Sequence, residues 1–60
     1  MDPDANLAEQ MRLVVDITAE FDSEKPNVDG ISHDAARLAE LVDALNGWIS
    51  GGGVLPKQWR

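Results

Sequence analysis

Ser32 to Trp59 reads S-H-D-A-A-R-L-A-E-L-V-D-A-L-N-G-W-I-S-G-G-G-V-L-P-K-Q-W, and the spacing of its apolar residues decides the fold class. At about 100° per residue, Ala35, Leu38, Leu41, Val42, Leu45, Trp48 and Ile49 fall within an arc of roughly 140°. Glu40, Asp43 and Gly47 fall opposite, so the stretch predicts a helix with one buried and one wet face. Ser32 reads as its N-cap, with Asp34 in the first turn at the positive end of the helix dipole and Ile31 placed to pack back on that turn. Gly51 reads as the left-handed residue that closes the helix, with Gly52 and Gly53 turning the chain, so the helix is expected over about 32–50.

Outward from this helix, Asp2-Pro3-Asp4 marks a second helix start, with Asp2 as cap and Pro3 where its missing N–H is harmless. That first helix is expected over about 3–21. Its apolar residues Leu7, Met11, Val14, Val15, Ile17 and Phe21, with Leu13 at the margin, span roughly 200°, more than one neighbouring helix covers. Glu9, Arg12, Asp16 and Glu20 form a narrow polar stripe, in which Glu9 with Arg12 and Arg12 with Asp16 have the spacing of exposed ion pairs. Between the helices, D-S-E-K-P-N-V-D-G (Asp22 to Gly30) carries too many breakers to continue either one. The expected fold is all-α: one domain over 1–60, a two-helix antiparallel hairpin with connector 22–31 and an extended C-terminal tail, 51–60, packing back. Its expected core is Leu7, Met11, Val14, Ile17, Phe21, Leu38, Leu41, Leu45 and Trp48.

Sixty residues bury only about 60% of the surface of the unfolded chain, so the stability margin is thin. There is no cysteine, which removes disulfides and thiolate chemistry together. A net charge of −6 has the wrong sign for neutralising phosphates, so direct nucleic-acid binding is disfavoured. No apolar run reaches the roughly 20 residues of a bilayer span, and the acidic N-terminus is unlike a signal peptide; a cytoplasmic setting without membrane contact is expected.

Chemistry-bearing residues are few. His33, near Asp29 and Asp34, is the one candidate general base, yet no nucleophile is placed beside it and a surface role is expected. Gly51-Gly52-Gly53 lacks the Lys-Ser/Thr that a phosphate loop requires, and the acidic residues lack the alternate spacing of a calcium loop. No catalytic, cofactor-binding or metal-binding residue is assigned, and the chain reads as non-enzymatic. Val54 to Trp59 is too apolar for an ordinary free terminus. It reads either as a lid on the core, burying Trp59, or as a ligand for another protein.

Leu38 to Trp59 resembles a pattern of very short proteins from actinobacterial phages and their hosts, of the type L-x-x-A-L-x-x-W-hydrophobic-x-x-G-G-x-L-P-x-x-W. The resemblance covers about a third of the chain, implies a phage or bacterial cytoplasmic setting, and carries no site residues with it. From the residues themselves, the expected function is a small acidic protein-interaction module, in the phage setting one that binds a host protein. The alternative is an acidic nucleic-acid mimic that inhibits a DNA-binding protein. The surplus arc of the first helix makes Leu13, Val15 and Ile17, together with Trp59, the candidate interaction surface. Self-association into a four-helix homodimer, or binding of a host or cellular protein, would cover it.

Overall fold

The computed structural model describes residues 1–60 and holds two helices, α1 (Pro3–Phe21) and α2 (Val28–Ser50), with a single 3₁₀ turn, η1, at Lys57–Trp59 and no strand. The helices pack against each other. Asn6 meets Leu41, Glu9 meets Arg37, and Glu20 meets Asn27, so partner numbers fall as α1 advances and the pair is antiparallel.

α1 occupies the span read from the sequence. Asp2 Oδ1 accepts the Ala5 N–H at 3.1 Å, Pro3 opens the first turn and Asp4 faces the dipole. Its last turn is closed by Ser23, whose hydroxyl and N–H both donate to the Glu20 carbonyl.

α2 begins four residues earlier than expected, at Val28, because Asn27 rather than Ser32 is the cap. Asn27 Oδ1 accepts the Gly30 N–H at 3.1 Å, while the Asn27 N–H donates to Glu20 Oε1 at 2.6 Å and ties the new helix to the end of α1. Asp29-Gly30, which reads as a turn, is the first turn of α2. Gly30 suits it because a Cβ there would lie 2.9 Å from Asn27 Nδ2, the space the capping side chain occupies. The connector shrinks to Asp22–Asn27, and Ser32 is an exposed helical residue. Asn27→Ala is therefore expected to lower stability by about 1 kcal/mol, the usual cost of a lost N-cap, whereas Ser32→Ala leaves it within about 0.5 kcal/mol. Urea melts of the two variants check this, and a larger loss for Ser32→Ala would return the cap to Ser32.

At the other end, Gly51 keeps a right-handed backbone (φ −83°) and Gly52 takes the positive φ of 93°. The left-handed stop thus falls one residue later than expected.

The core is small. Leu7, Leu13, Leu41 and Leu45 are its buried apolar side chains along the helices, and Pro56 of the tail is fully buried. Leu38, Trp48, Ile17, Ile31 and Ile49 are half-buried around them. Met11, Val14 and Phe21, expected in the core, are exposed. Asn6 explains why. Buried at 8% exposure, it donates from Nδ2 to the Leu41 carbonyl at 3.0 Å and accepts from Gln10 Nε2 at 2.6 Å. With Glu9 bound to Arg37 beside it, this rolls α1 so that Asn6, Gln10, Leu13 and Ile17 face α2. The helix interface therefore lies at one edge of the apolar arc, and the rest of the arc is left outside.

Candidate docking face

The roll of α1 sorts its apolar residues differently from the order of its apolar arc. Leu13, expected on the uncovered flank, is only 4% exposed and belongs to the core. Ile17 is half-buried, and Val15 is 63% exposed. At about 100° per residue from Leu13, Phe21 and Val14 lie roughly 80–100° round the helix and Met11 roughly 160°. On α2, measured from Leu41, Ile31, Ile49 and Val42 lie roughly 80–100° round. In an antiparallel pair these offsets turn toward the same side, so the two flanks join into one apolar face of the hairpin.

Between the helices that face carries no charge, and only at its tail end do Asp4 and Lys57 border it. Over roughly 60–160° from the packing line, α1 presents Gln10, Phe21, Val14, Leu7, Thr18 and Met11. The same sector of α2 holds Leu38, Ile31, Ile49, Val42, Ala35, Val28, Asn46 and Ala39. Of the ten acidic and basic side chains of the helices, Asp4 stands at the edge of the face and the other nine lie elsewhere: Glu9, Arg12, Asp16, Glu20, Asp29, Asp34, Arg37, Glu40 and Asp43.

One end of the face is occupied by the chain's own C-terminus. The Trp48 indole lies under Gly53, and its Nε1–H donates to the Val54 carbonyl at 2.8 Å. Pro56 is buried, and the Lys57 N–H donates to Asp4 Oδ1 at 2.6 Å. Lys57 and Gln58 border a shallow hollow with Asp4, Leu7, Ala8 and Met11, and Trp59 borders a second with Gln10, Val42 and Ile49. Trp59 does not have the buried position expected of it. It is 51% exposed, because the 3₁₀ turn that follows Pro56 leaves it at the rim of the hollow.

The opposite side of the hairpin is polar. Arg37 grips Glu9 with two hydrogen bonds, Nε to Oε2 at 2.8 Å and Nη2 to Oε1 at 3.0 Å, and reaches Glu40 at 3.3 Å. Arg12 stands 3.9 Å from Asp16, as its spacing implies, but Glu9 pairs across the hairpin with Arg37 instead of along α1 with Arg12. The Arg37 hydrogen bonds hold the Glu9 carboxyl below its ordinary range, with the attraction of the Arg37 and Arg12 charges adding to them. A depressed carboxyl stabilises the fold above its unfolded pKa, and that contribution is lost as pH falls through the folded value. Wild type is thus expected to melt above Glu9→Gln at pH 7, with the two curves converging once the pH is well below the ordinary Glu value of about 4.3. A gap that persists into acid would assign the effect to packing, not charge.

His33 is exposed near the start of α2. No group of three His, Asp or Glu side chains converges as a metal site, and no helix is long and apolar enough to cross a membrane. Comparison with family models, with curated proteins and with solved structures finds no match.

Met11, Val14, Phe21 and Val42 are the residues of the face that the sequence reading assigned to the buried side of the helices. The missed signal is the stripe Asn6, Gln10, Leu13, Ile17, which keeps the i, i+4, i+7, i+11 spacing of a packing seam while being half polar.

Proposed function

We propose that this protein is a non-enzymatic protein-interaction module, a helical hairpin that offers its apolar face to another protein while the C-terminal tail acts as a lid over one end. The observation that carries this reading is the exposure of Met11, Val14, Phe21 and Val42 on one side of a chain with so small a core. Contiguous apolar surface of this kind is costly to leave in water and marks association sites in soluble domains. The partner class is a protein with a matching apolar helical surface: a second copy of the chain or, in the phage setting that the C-terminal pattern implies, a host protein.

The acidic-mimic reading draws less support. Arg37 neutralises Glu9 and Glu40, and Arg12 stands beside Asp16, so the polar side is a mixed surface and not a run of carboxylates spaced like phosphates. Affinity capture separates the two readings. Docking through the apolar face persists at about 1 M salt, where the Debye length is near 3 Å, whereas capture by a phosphate mimic is released. Val14→Asp and Phe21→Asp should each lose the captured protein while Glu40→Lys keeps it. Equal retention by all three variants would reject the face.

A further inference from the structure

We infer that the occupant of the apolar face is a second copy of this chain, seated antiparallel so that each tail rests on the partner's bare turn end. The inference rests on reading that face as a docking surface, and three observations choose the occupant. The first is charge. A partner of opposite sign would be recognised by free carboxylates on the face, and the one that borders it, Asp4, is taken up by the chain's own Lys57 N–H; a copy carrying −6 can approach only over such a near-neutral surface, with its other acidic side chains turned away.

The second observation is area. The chain exposes 4305 Å², about 500 Å² more than the roughly 3,800 Å² expected of a folded monomer of its 6.5 kDa mass. The excess follows from its elongated form, 43 × 18 × 13 Å. Along the 23 residues of α2, at about 1.5 Å rise per residue, and across the 18 Å width of the chain, the face offers roughly 600 Å² per copy, so two copies bury about 1,200 Å², the lower bound of a standard interface.

The third is shape. The tail raises the end of the face formed by the start of α1 and the end of α2, while the end near the turn, with Val14, Phe21 and Ile31, is bare. Two copies with like ends together would meet tail on tail and hold their bare ends apart. Reversed, the raised half of each fills the recessed half of the other, and the half-exposed Trp59 lands on the partner's Val14 and Ile31. The result is a two-fold, four-helix assembly with one self-complementary patch.

Sedimentation equilibrium at concentrations on the order of 100 μM is expected to read twice the 6.5 kDa chain mass for wild type. Val14→Asp and Phe21→Asp, both at exposed positions, should read the single mass with unchanged helical circular dichroism. A single mass for wild type overturns the second-copy occupant; if capture of another protein is still lost in Val14→Asp, the docking face itself stands. Dimers in both variants overturn the face. For the arrangement, a mixture of Val28→Cys and Arg60→Cys chains should form a disulfide across the two under mild oxidation. Efficient self-linking of Val28→Cys alone, which needs turn ends together, overturns the antiparallel seating.

Discussion

Leu13→Ala is expected to remove most or all of the stability of this protein, while Val15→Ala, two residues on, leaves it within about 0.5 kcal/mol. Leu13 is 4% exposed in the seam between the helices, and Val15 points to solvent. Truncating a buried leucine costs about 2–5 kcal/mol, because the lost apolar contacts are compounded by the cavity left behind. Against this stands a total stability of about 3–9 kcal/mol for a chain of this size, at roughly 0.05–0.15 kcal/mol per residue. Only four leucines share the helical core with Leu13 counted among them, so neighbouring side chains have little with which to refill the space. Urea melts followed by circular dichroism decide it. Similar midpoints for the two variants would mean that α1 is rolled as its apolar arc alone suggests, with Val14 inward and Leu13 at the edge.

Gly53→Ala should detach the C-terminal tail and reproduce most of the effect of deleting it. A Cβ at Gly53 would stand 2.3 Å from Trp48 Cε2 and 2.5 Å from Cδ2, atoms at the centre of the indole that no small rotation clears. Either the indole leaves its rotamer or the tail lifts, and both break the Nε1–H bond to the Val54 carbonyl and uncover Pro56. Overpacking of this kind costs about 1–3 kcal/mol, and deletion from Val54 onward about 2–4 kcal/mol, the range for losing a large packed side chain. Trp48 emission should move to longer wavelength in both variants as the ring is exposed to water. Wild-type midpoint and emission in Gly53→Ala would show that the tail is not held through Trp48.

The parts of this fold legible in the sequence are those set by local chemistry. Asp2-Pro3-Asp4 marks the start of α1 because a cap, a proline without an N–H and a first-turn carboxylate act within one turn. The leucine spacing of Leu38, Leu41 and Leu45 likewise points one side of α2 inward. What could not be read depends on side chains from distant parts of the chain. Asn27 competes with Ser32 for the cap of α2 and wins because Glu20, seven residues earlier, holds its N–H and Gly30 leaves room for its amide. Asn6 turns α1 by bonding a carbonyl 35 residues away. A wheel that scores hydrophobicity assigns such an asparagine to the wet side, and the error carries Leu13 out of the core and Val14 into it. The position of Trp59 is equally non-local: burying Pro56 and bonding Lys57 to Asp4 uses up the reach of the tail and leaves the indole at the rim.

The candidate docking face was legible only as a surplus. An apolar arc of roughly 200° on α1 announces that something beyond α2 must cover it, and the structure assigns that surplus to Met11, Val14 and Phe21, joined by Val42 across the hairpin. Association through this face is the central claim, and carbene labelling read residue by residue tests it most directly, comparing the chain dilute with the chain concentrated. The prediction is that labelling of Val14, Phe21 and Val42 falls on concentration while Arg12, His33 and Glu40 on the polar side label equally in both. Unchanged labelling of the three apolar residues, or protection confined to the polar side, would contradict it.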